Sequence, residues 1–204
     1  MKQARKNTAI IRGLVAASRL VLGSRSPRRA ELLAAAGIPF VVRVADIDET
    51  PRPAESPREY VLRLAEEKAR AIPANAREFV LTADTTVVLD GRILGKPADA
   101  VDAARILSGL SGNRHDVITG VCLMRGGRRL ALSAASTAVW FDPMTDDEIA
   151  EYAASAEPMD KAGAYAIQGT ASRWISRIDG SYSNVVGLPV ALVYRLLNES
   201  GWVG

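Results

Sequence analysis

The sequence predicts an α/β protein whose mixed, twisted sheet is flanked by helices. Three observations carry that expectation. Helix and strand signals alternate along the chain. Two hairpin turns, Asp90-Gly91 and Gly126-Gly127, interrupt the alternation, so the sheet is not purely parallel. The 204 residues, 48% hydrophobic and 24% charged, supply a core for one domain or two closely joined lobes.

The elements follow in order. Leu20 to Leu22 reads as a short buried strand ending at Gly23. Ser26 offers an N-cap, Pro27 suits the first helical position and Gly37 sits where a helix stops, which predicts a helix over 27–36. Phe40 to Val44 is a second strand. The polar, proline-rich stretch from Asp46 to Ser56 is the most loop-like region and a candidate cleft rim. Ser56-Pro57-Arg58-Glu59 is a capping box, and Tyr60, Val61, Leu64, Ala65, Ala69 and Ile72 follow at helical spacing. Phe79 to Leu81 and Thr86 to Leu89 read as separate strand pieces, the second turning at Asp90-Gly91 into Ile93-Leu94. A helix over 98–109 comes next. Val117 to Met124 and Arg129 to Phe141 are long strands joined at Gly126-Gly127. Thr145-Asp146-Asp147-Glu148 is a second capping box, opening a helix that runs to Ser155. Arg173 to Ile178 alternates like a strand, Asp179-Gly180 turns it, and Pro189 to Leu197 is the last helix. No internal repeat, low-complexity tract or long linker interrupts the pattern.

Charge and cysteine content exclude several classes. The formal charge of +3 misleads, because residues 1–19 hold Lys2, Arg5, Lys6, Arg12 and Arg19 and no acid. Setting those five aside leaves 21 basic against 23 acidic side chains in residues 20–204. The basic pI is thus a property of the leader, and nucleic-acid binding by the domain is not expected. We read residues 1–19 as a basic N-terminal extension, a disordered or mis-assigned start rather than a targeting signal, since Arg12 breaks its apolar patch. No apolar stretch is long enough to span a membrane. With Cys122 alone there is no internal disulfide and no cysteine zinc cluster, which suits a reducing, cytoplasmic setting. Any working metal would have oxygen ligands, favouring Mg²⁺ or Mn²⁺.

Four clusters carry candidate chemistry. Ser24-Arg25-Ser26-Pro27-Arg28-Arg29 lies between a strand end and a helix start, where free N–H groups, hydroxyls and guanidinium groups suit a phosphate chain; the alternative is a capped helix with solvated arginines. Thr82-Ala83-Asp84-Thr85-Thr86 sets a carboxylate beside an apolar strand, fit to bind a metal or take a proton from water; the alternative is a turn-forming Asp. In Gly95-Lys96-Pro97 the proline could aim Lys96 at an anion, although surface lysines are common. Lys68, near the apolar edge of its helix, either snorkels to water or meets an anion. In the segment from Asp160 to Gly169, small residues permit close backbone approach and Gln168 can read the edge of a base; the alternative is a glycine-rich turn. Glu49, in an acidic loop run, is a solvated acid or a metal ligand for a triphosphate site. His115 is expected only to cap or hydrogen-bond.

Taken together these segments resemble the Maf family of nucleotide pyrophosphatases. SRSPRRAELLAAAGIPF, LAEEKARA, LTADTTVVLDGRILGKP, LSGNRHDVITGV, EPMDKAGAYAIQG and GSYSNVVGLPV come in the family's order across residues 20 to 195. The resemblance implies two lobes around a cleft, similar to inosine triphosphate pyrophosphatase, within a domain of residues 20–204. It implies hydrolysis of a nucleoside triphosphate between the α and β phosphates. In that picture Asp84 is the base, Glu49 and Asp84 are metal-side carboxylates, and Lys68 and Lys96 are phosphate ligands. Ser24, Arg28 and Arg29 grip the triphosphate, while Arg29, Thr85 and Gln168 bear on substrate choice. DKAGAYAIQG with GSYSNVVGLP is similar to the dTTP/UTP branch rather than the 7-methyl-GTP branch. The rival expectations are a pyrophosphatase for 7-methyl-GTP or another modified base, a non-catalytic nucleotide-binding regulator of cell division, and a nucleic-acid module using the leader. The family also suggests a homodimer. Gly23, where the family usually has alanine, and Ala191, where an acid is common, are departures that touch no proposed catalytic group.

Overall fold

A computed structural model describes residues 18–204. The basic extension assigned to residues 1–19 therefore lies outside the described residues as far as residue 17. Ser18 and Arg19 are tied to the fold: the Ser18 N–H donates to the Val203 carbonyl, and the Arg19 carbonyl accepts from Phe79 N–H.

The architecture is mixed α/β. In chain order it comprises β1 (Leu20–Leu22), α1 (Pro27–Ala35), β2 (Val41–Val42), α2 (Pro57–Ala71), β3 (Phe79–Leu89), β4 (Arg92–Leu94), α3 (Ala100–Leu110), β5 (Arg114–Arg125), β6 (Arg128–Phe141) and α4 (Asp146–Ala154). Three 3₁₀ turns follow (Pro158–Asp160, Ala162–Ala164, Thr170–Arg173), then β7 (Ile175–Asp179), α5 (Tyr182–Val186) and α6 (Val190–Glu199). The sheet runs β2-β1-β3-β5-β6-β7, with β4 paired to β3. β1 pairs parallel with β2 and β3, and the remaining pairings are antiparallel. Among the described residues no helix is long and apolar enough to cross a membrane.

Both capping boxes form. The Ser56 and Thr145 hydroxyls accept from the N–H of Glu59 and Glu148, and those glutamates reach back to the cap N–H groups. The N-cap expected at Ser26 does not form: its side chain makes no capping bond, and its own N–H donates to the Ser24 hydroxyl at 3.2 Å. The second strand is only Val41–Val42, shorter than the stretch from Phe40 to Val44, because β1 offers it just two partners.

β3 departs most from expectation. It is one strand of 11 residues, and the polar run Thr82 to Thr86 lies inside it rather than between two pieces. One edge pairs with β5 from Phe79 to Val88. The other pairs with β1 at Phe79–Leu81 and with β4 at Val87–Leu89, leaving Thr82 to Thr86 without a strand neighbour. This gap splits the sheet edge and divides the molecule into two lobes. On the β1 side, Leu20, Leu22, Phe79 and Leu81 pack with Leu33 of α1 and Leu197 of α6. Val21, Val80 and Cys122 pack on the other face with Ala65 and Ala69 of α2. On the β4 side, Val87 and Val117 pack with Ile106, Leu107 and Leu110 of α3 and Tyr152 of α4.

Candidate active site

The split in the sheet edge opens into a cleft of about 560 Å³, within the size range that encloses a small ligand. Ser24, Arg28, Arg29, Glu49, Lys68, Asp84, Thr85, Lys96 and Gln168 all line it. Residues separated by up to 144 positions in the chain are thus brought to one cavity, from both lobes.

Strand alternation sorts the residues of the gap. Thr82 and Asp84 face α2: the Thr82 hydroxyl donates to the Ala65 carbonyl at 2.5 Å, and the Lys68 ammonium donates to Asp84 Oδ1 at 2.6 Å. The same ammonium lies 2.7 Å from Glu49 Oε1. Asp84 is nearly buried, whereas Glu49 is exposed on its loop, so one cation holds a strand carboxylate and a loop carboxylate together. Lysine at this position neither snorkels nor stands free.

Thr85 faces the opposite way, toward Arg29. The Leu81 carbonyl on the open edge of β3 accepts from Gly23 N–H at 2.8 Å. Two residues on, where β1 has ended, the Ala83 carbonyl accepts from Arg29 Nη1 at 2.7 Å. Arg29 thereby continues the ladder that β1 leaves off. It also donates from Nη1 to the Ser24 hydroxyl (3.3 Å), from Nη2 to the Thr85 hydroxyl (3.0 Å) and from Nε to the Gly187 carbonyl (2.7 Å). Removal from water pulls its pKa below the ordinary arginine value, with Arg28 adding to the effect and the Asp84 and Glu49 carboxylates opposing it. A guanidinium so fully engaged is a frame for the cleft. Arg28 is the freer of the pair, ion-paired to Asp160 at 3.2 Å across the cleft.

Lys96 and Gln168 are exposed residues on the cleft wall. Gln168 follows two 3₁₀ turns. The loop bearing it is held by Glu157, whose carboxylate accepts from Tyr152 Oη at 2.7 Å and from Thr170 N–H at 3.0 Å. His115 lies outside the cleft lining and only hydrogen-bonds, its Nε2 sitting 2.8 Å from the hydroxyl of Tyr165. Burial pushes its pKa down to about 4, with Arg114 adding to the depression.

Several cleft residues had no role assigned from the sequence. Asp160 and Lys161 stood within a recognised motif but were not singled out. Tyr60 was counted as part of an apolar helix face, yet its hydroxyl donates to the Glu49 carbonyl at 3.0 Å. α5 was not foreseen; its Asn184 is fully buried and donates to the Val117 carbonyl at 2.9 Å, fixing the segment that ends in Gly187.

Comparison with known proteins gives three findings. The sequence model described as "Maf-like protein" matches residues 19–200. A relative from Anaeromyxobacter dehalogenans (strain 2CP-C), named dTTP/UTP pyrophosphatase, is 52% identical over 189 residues, covering 91% of this chain and 96% of its own. One of the same name from Geobacter metallireducens (strain ATCC 53774 / DSM 7210 / GS-15) is 52% identical over 186 residues, covering 90% and 97%. Among solved structures, the Staphylococcus aureus Ham1 protein aligns at a TM-score of 0.47 and 13% identity, over 89% of this chain and 98% of that one.

Proposed function

Because the chain belongs to the Maf-like protein family, we propose that it hydrolyses the nucleoside triphosphates dTTP and UTP to the monophosphate and pyrophosphate. The observation that carries the reading is convergence. Two carboxylates, Asp84 and Glu49, meet at Lys68 in the same cleft as Arg28, Arg29 and Lys96. A triphosphate needs its negative charge offset before an oxygen nucleophile can approach. Ser24, the start of α1 and Arg28 form the wall suited to the phosphate chain, with Lys96 opposite. Asp84 acts as the general base, orienting a water and taking its proton at a carboxylate oxygen. Lys68 holds the Asp84 carboxylate in place and neutralises charge on the phosphates. Thr85 and Arg29, on the other face of β3, with Gln168 on the exposed wall, bear on which nucleoside is accepted.

The donor set fits a divalent cation. Asp84 and Glu49 each approach the Lys68 nitrogen to within 2.7 Å, so two hard oxygen ligands already point at one small volume. Among the described residues no cluster of three or more His, Cys, Asp or Glu could hold a metal, and Mg²⁺ commonly takes one or two carboxylates and completes its shell with phosphate and water. A bound Mg²⁺ or Mn²⁺ would supply charge neutralisation and raise the acidity of the attacking water.

The test is pyrophosphate release across a panel of dTTP, UTP, 7-methyl-GTP and ITP, with and without EDTA. The reading expects dTTP and UTP to lead, loss of turnover in EDTA, and recovery on adding Mg²⁺ or Mn²⁺. Preference for 7-methyl-GTP, or nucleotide binding without pyrophosphate release, would overturn it.

A further inference from the structure

We propose that Arg63 is a positioning residue for the metal: it fixes the 46–56 loop so that Glu49 meets Asp84. The inference rests on the reading of Glu49 as a metal-side carboxylate. Glu49 stands on a segment with no helix or strand between β2 and α2. A ligand on such a segment must be ordered whenever it binds, which costs backbone entropy. Something therefore has to hold the loop beforehand.

Arg63, five residues before Lys68 on α2, does so with its whole fork. Nε and Nη2 grip both oxygens of Glu55 at 2.6 and 2.7 Å. Nη2 also donates to the carbonyl of Thr50, the residue after Glu49, at 3.2 Å. Nη1 donates to Glu67 at 3.1 Å, and Glu67 in turn holds Arg52 at 2.9 Å. The Arg63 and Glu55 side chains are only 12% and 9% exposed, so this pair is far less screened than a surface ion pair. Tyr60 of the same helix donates to the Glu49 carbonyl itself. The loop is thus stapled at its metal-side residue and over the residues that follow it to the helix that presents Lys68. None of these bonds needs substrate, and Arg63 is not among the residues lining the cleft. Its effect on the site passes through Glu49.

The test measures Mn²⁺ affinity by electron paramagnetic resonance on the full chain, in the presence of the non-hydrolysable α,β-methylene analogue of dTTP. Arg63→Lys keeps the charge but cannot hold Glu55 with two parallel bonds and Thr50 at once. It should weaken Mn²⁺ by about tenfold, the low end for partners that orient a metal ligand. Glu49→Gln should weaken it at least as much, and the double variant no more than Glu49→Gln alone. Additive losses would overturn the inference, since Arg63 would then act by another route. Loss in Glu49→Gln with none in Arg63→Lys would overturn the inference while sparing the assignment of Glu49. No loss in Glu49→Gln would overturn both. Should Arg63→Lys fail to fold, Tyr60→Phe replaces it: a several-fold loss that vanishes in the Glu49→Gln background supports the loop-holding role, and unchanged affinity overturns it.

Discussion

At the scale of single residues, Asp84 and His115 show how position decides chemistry. Asp84 is nearly buried, and Lys68 keeps a cation 2.6 Å from its carboxylate, at the position proposed for the base. Asp84→Asn keeps the shape and loses the proton acceptor. Turnover of dTTP should fall about 10²–10⁴-fold, while the α,β-methylene analogue still binds in calorimetry. Near-full turnover would remove Asp84 from the mechanism. His115 is the contrasting case, a buried imidazole against Tyr165 and Phe141 with an unpartnered Nδ1. Its folded pKa of about 4 lies below the ordinary 6.5, so between those values the unfolded chain binds a proton that the native state refuses. Stability should fall as pH drops through that window, by about 3 kcal/mol in all. Glu55 and Glu78, each held down to about 2 chiefly by hydrogen bonds from Arg63 and Arg43, behave differently. Their contribution is complete above about pH 4.5 and is lost only as pH falls toward 2. Urea unfolding of His115→Gln from pH 7 to pH 4 should therefore lack most of the slope seen in the parent between 6.5 and 4. Parallel slopes would mean that another group titrates.

At the scale of elements, local signals were legible wherever a short-range bond sets the structure. Ser56 and Thr145 announce α2 and α4 because a hydroxyl and a glutamate three residues later satisfy each other whatever lies beyond. β3 was not legible, since Thr82, Asp84 and Thr86 look like a break in an apolar strand. They stay in the strand because β5 pairs it throughout and α2 supplies polar partners, the Ala65 carbonyl and the Lys68 ammonium. α5 depends on the buried Asn184 reaching a partner 67 residues away, and the 3₁₀ turns on the half-buried Glu157 bridging Tyr152 and Thr170, which spacing does not reveal. The seat of α2 is set at Gly120 of β5, where an added Cβ would lie 2.3 Å from the Val61 carbonyl oxygen. Backbone cannot yield there as a side-chain tip could, so Gly120→Ala must lift α2 from the sheet. We expect a loss of about 1–3 kcal/mol in urea unfolding. Because α2 carries Lys68, KM for dTTP should rise in the fraction that remains folded. A stable variant with unchanged KM would show that α2 tolerates displacement.

At the scale of the whole molecule, the site exists only because the β1 and β4 lobes share one strand and leave its middle uncovered. The order of motifs named residues that line one cleft, but not that Arg29 would complete the ladder of β3 or that Asp160 would face Arg28. Those contacts join segments 54 and 132 residues apart, and only the closed fold creates them. The Arg28–Asp160 pair spans the cleft at 3.2 Å, tying α1 to the segment that leads to Gln168. Asp160 also receives the ammonium of Lys161, so it draws two cations toward itself in the cleft. Under the proposed function, a phosphate chain and its pyrophosphate product compete with that carboxylate. Unit charges 4 Å apart in water interact by about 1 kcal/mol, which corresponds to roughly fivefold in binding. Asp160→Asn should therefore lower KM for dTTP and tighten product inhibition by pyrophosphate by roughly that factor at low salt. Asp160 is 62% exposed, so the gain should shrink as potassium chloride is raised and the pair is screened in any case. If pyrophosphate binds Asp160→Asn no more tightly than the parent at low ionic strength, Arg28 does not meet the phosphate chain, and the triphosphate must lie elsewhere along the cleft.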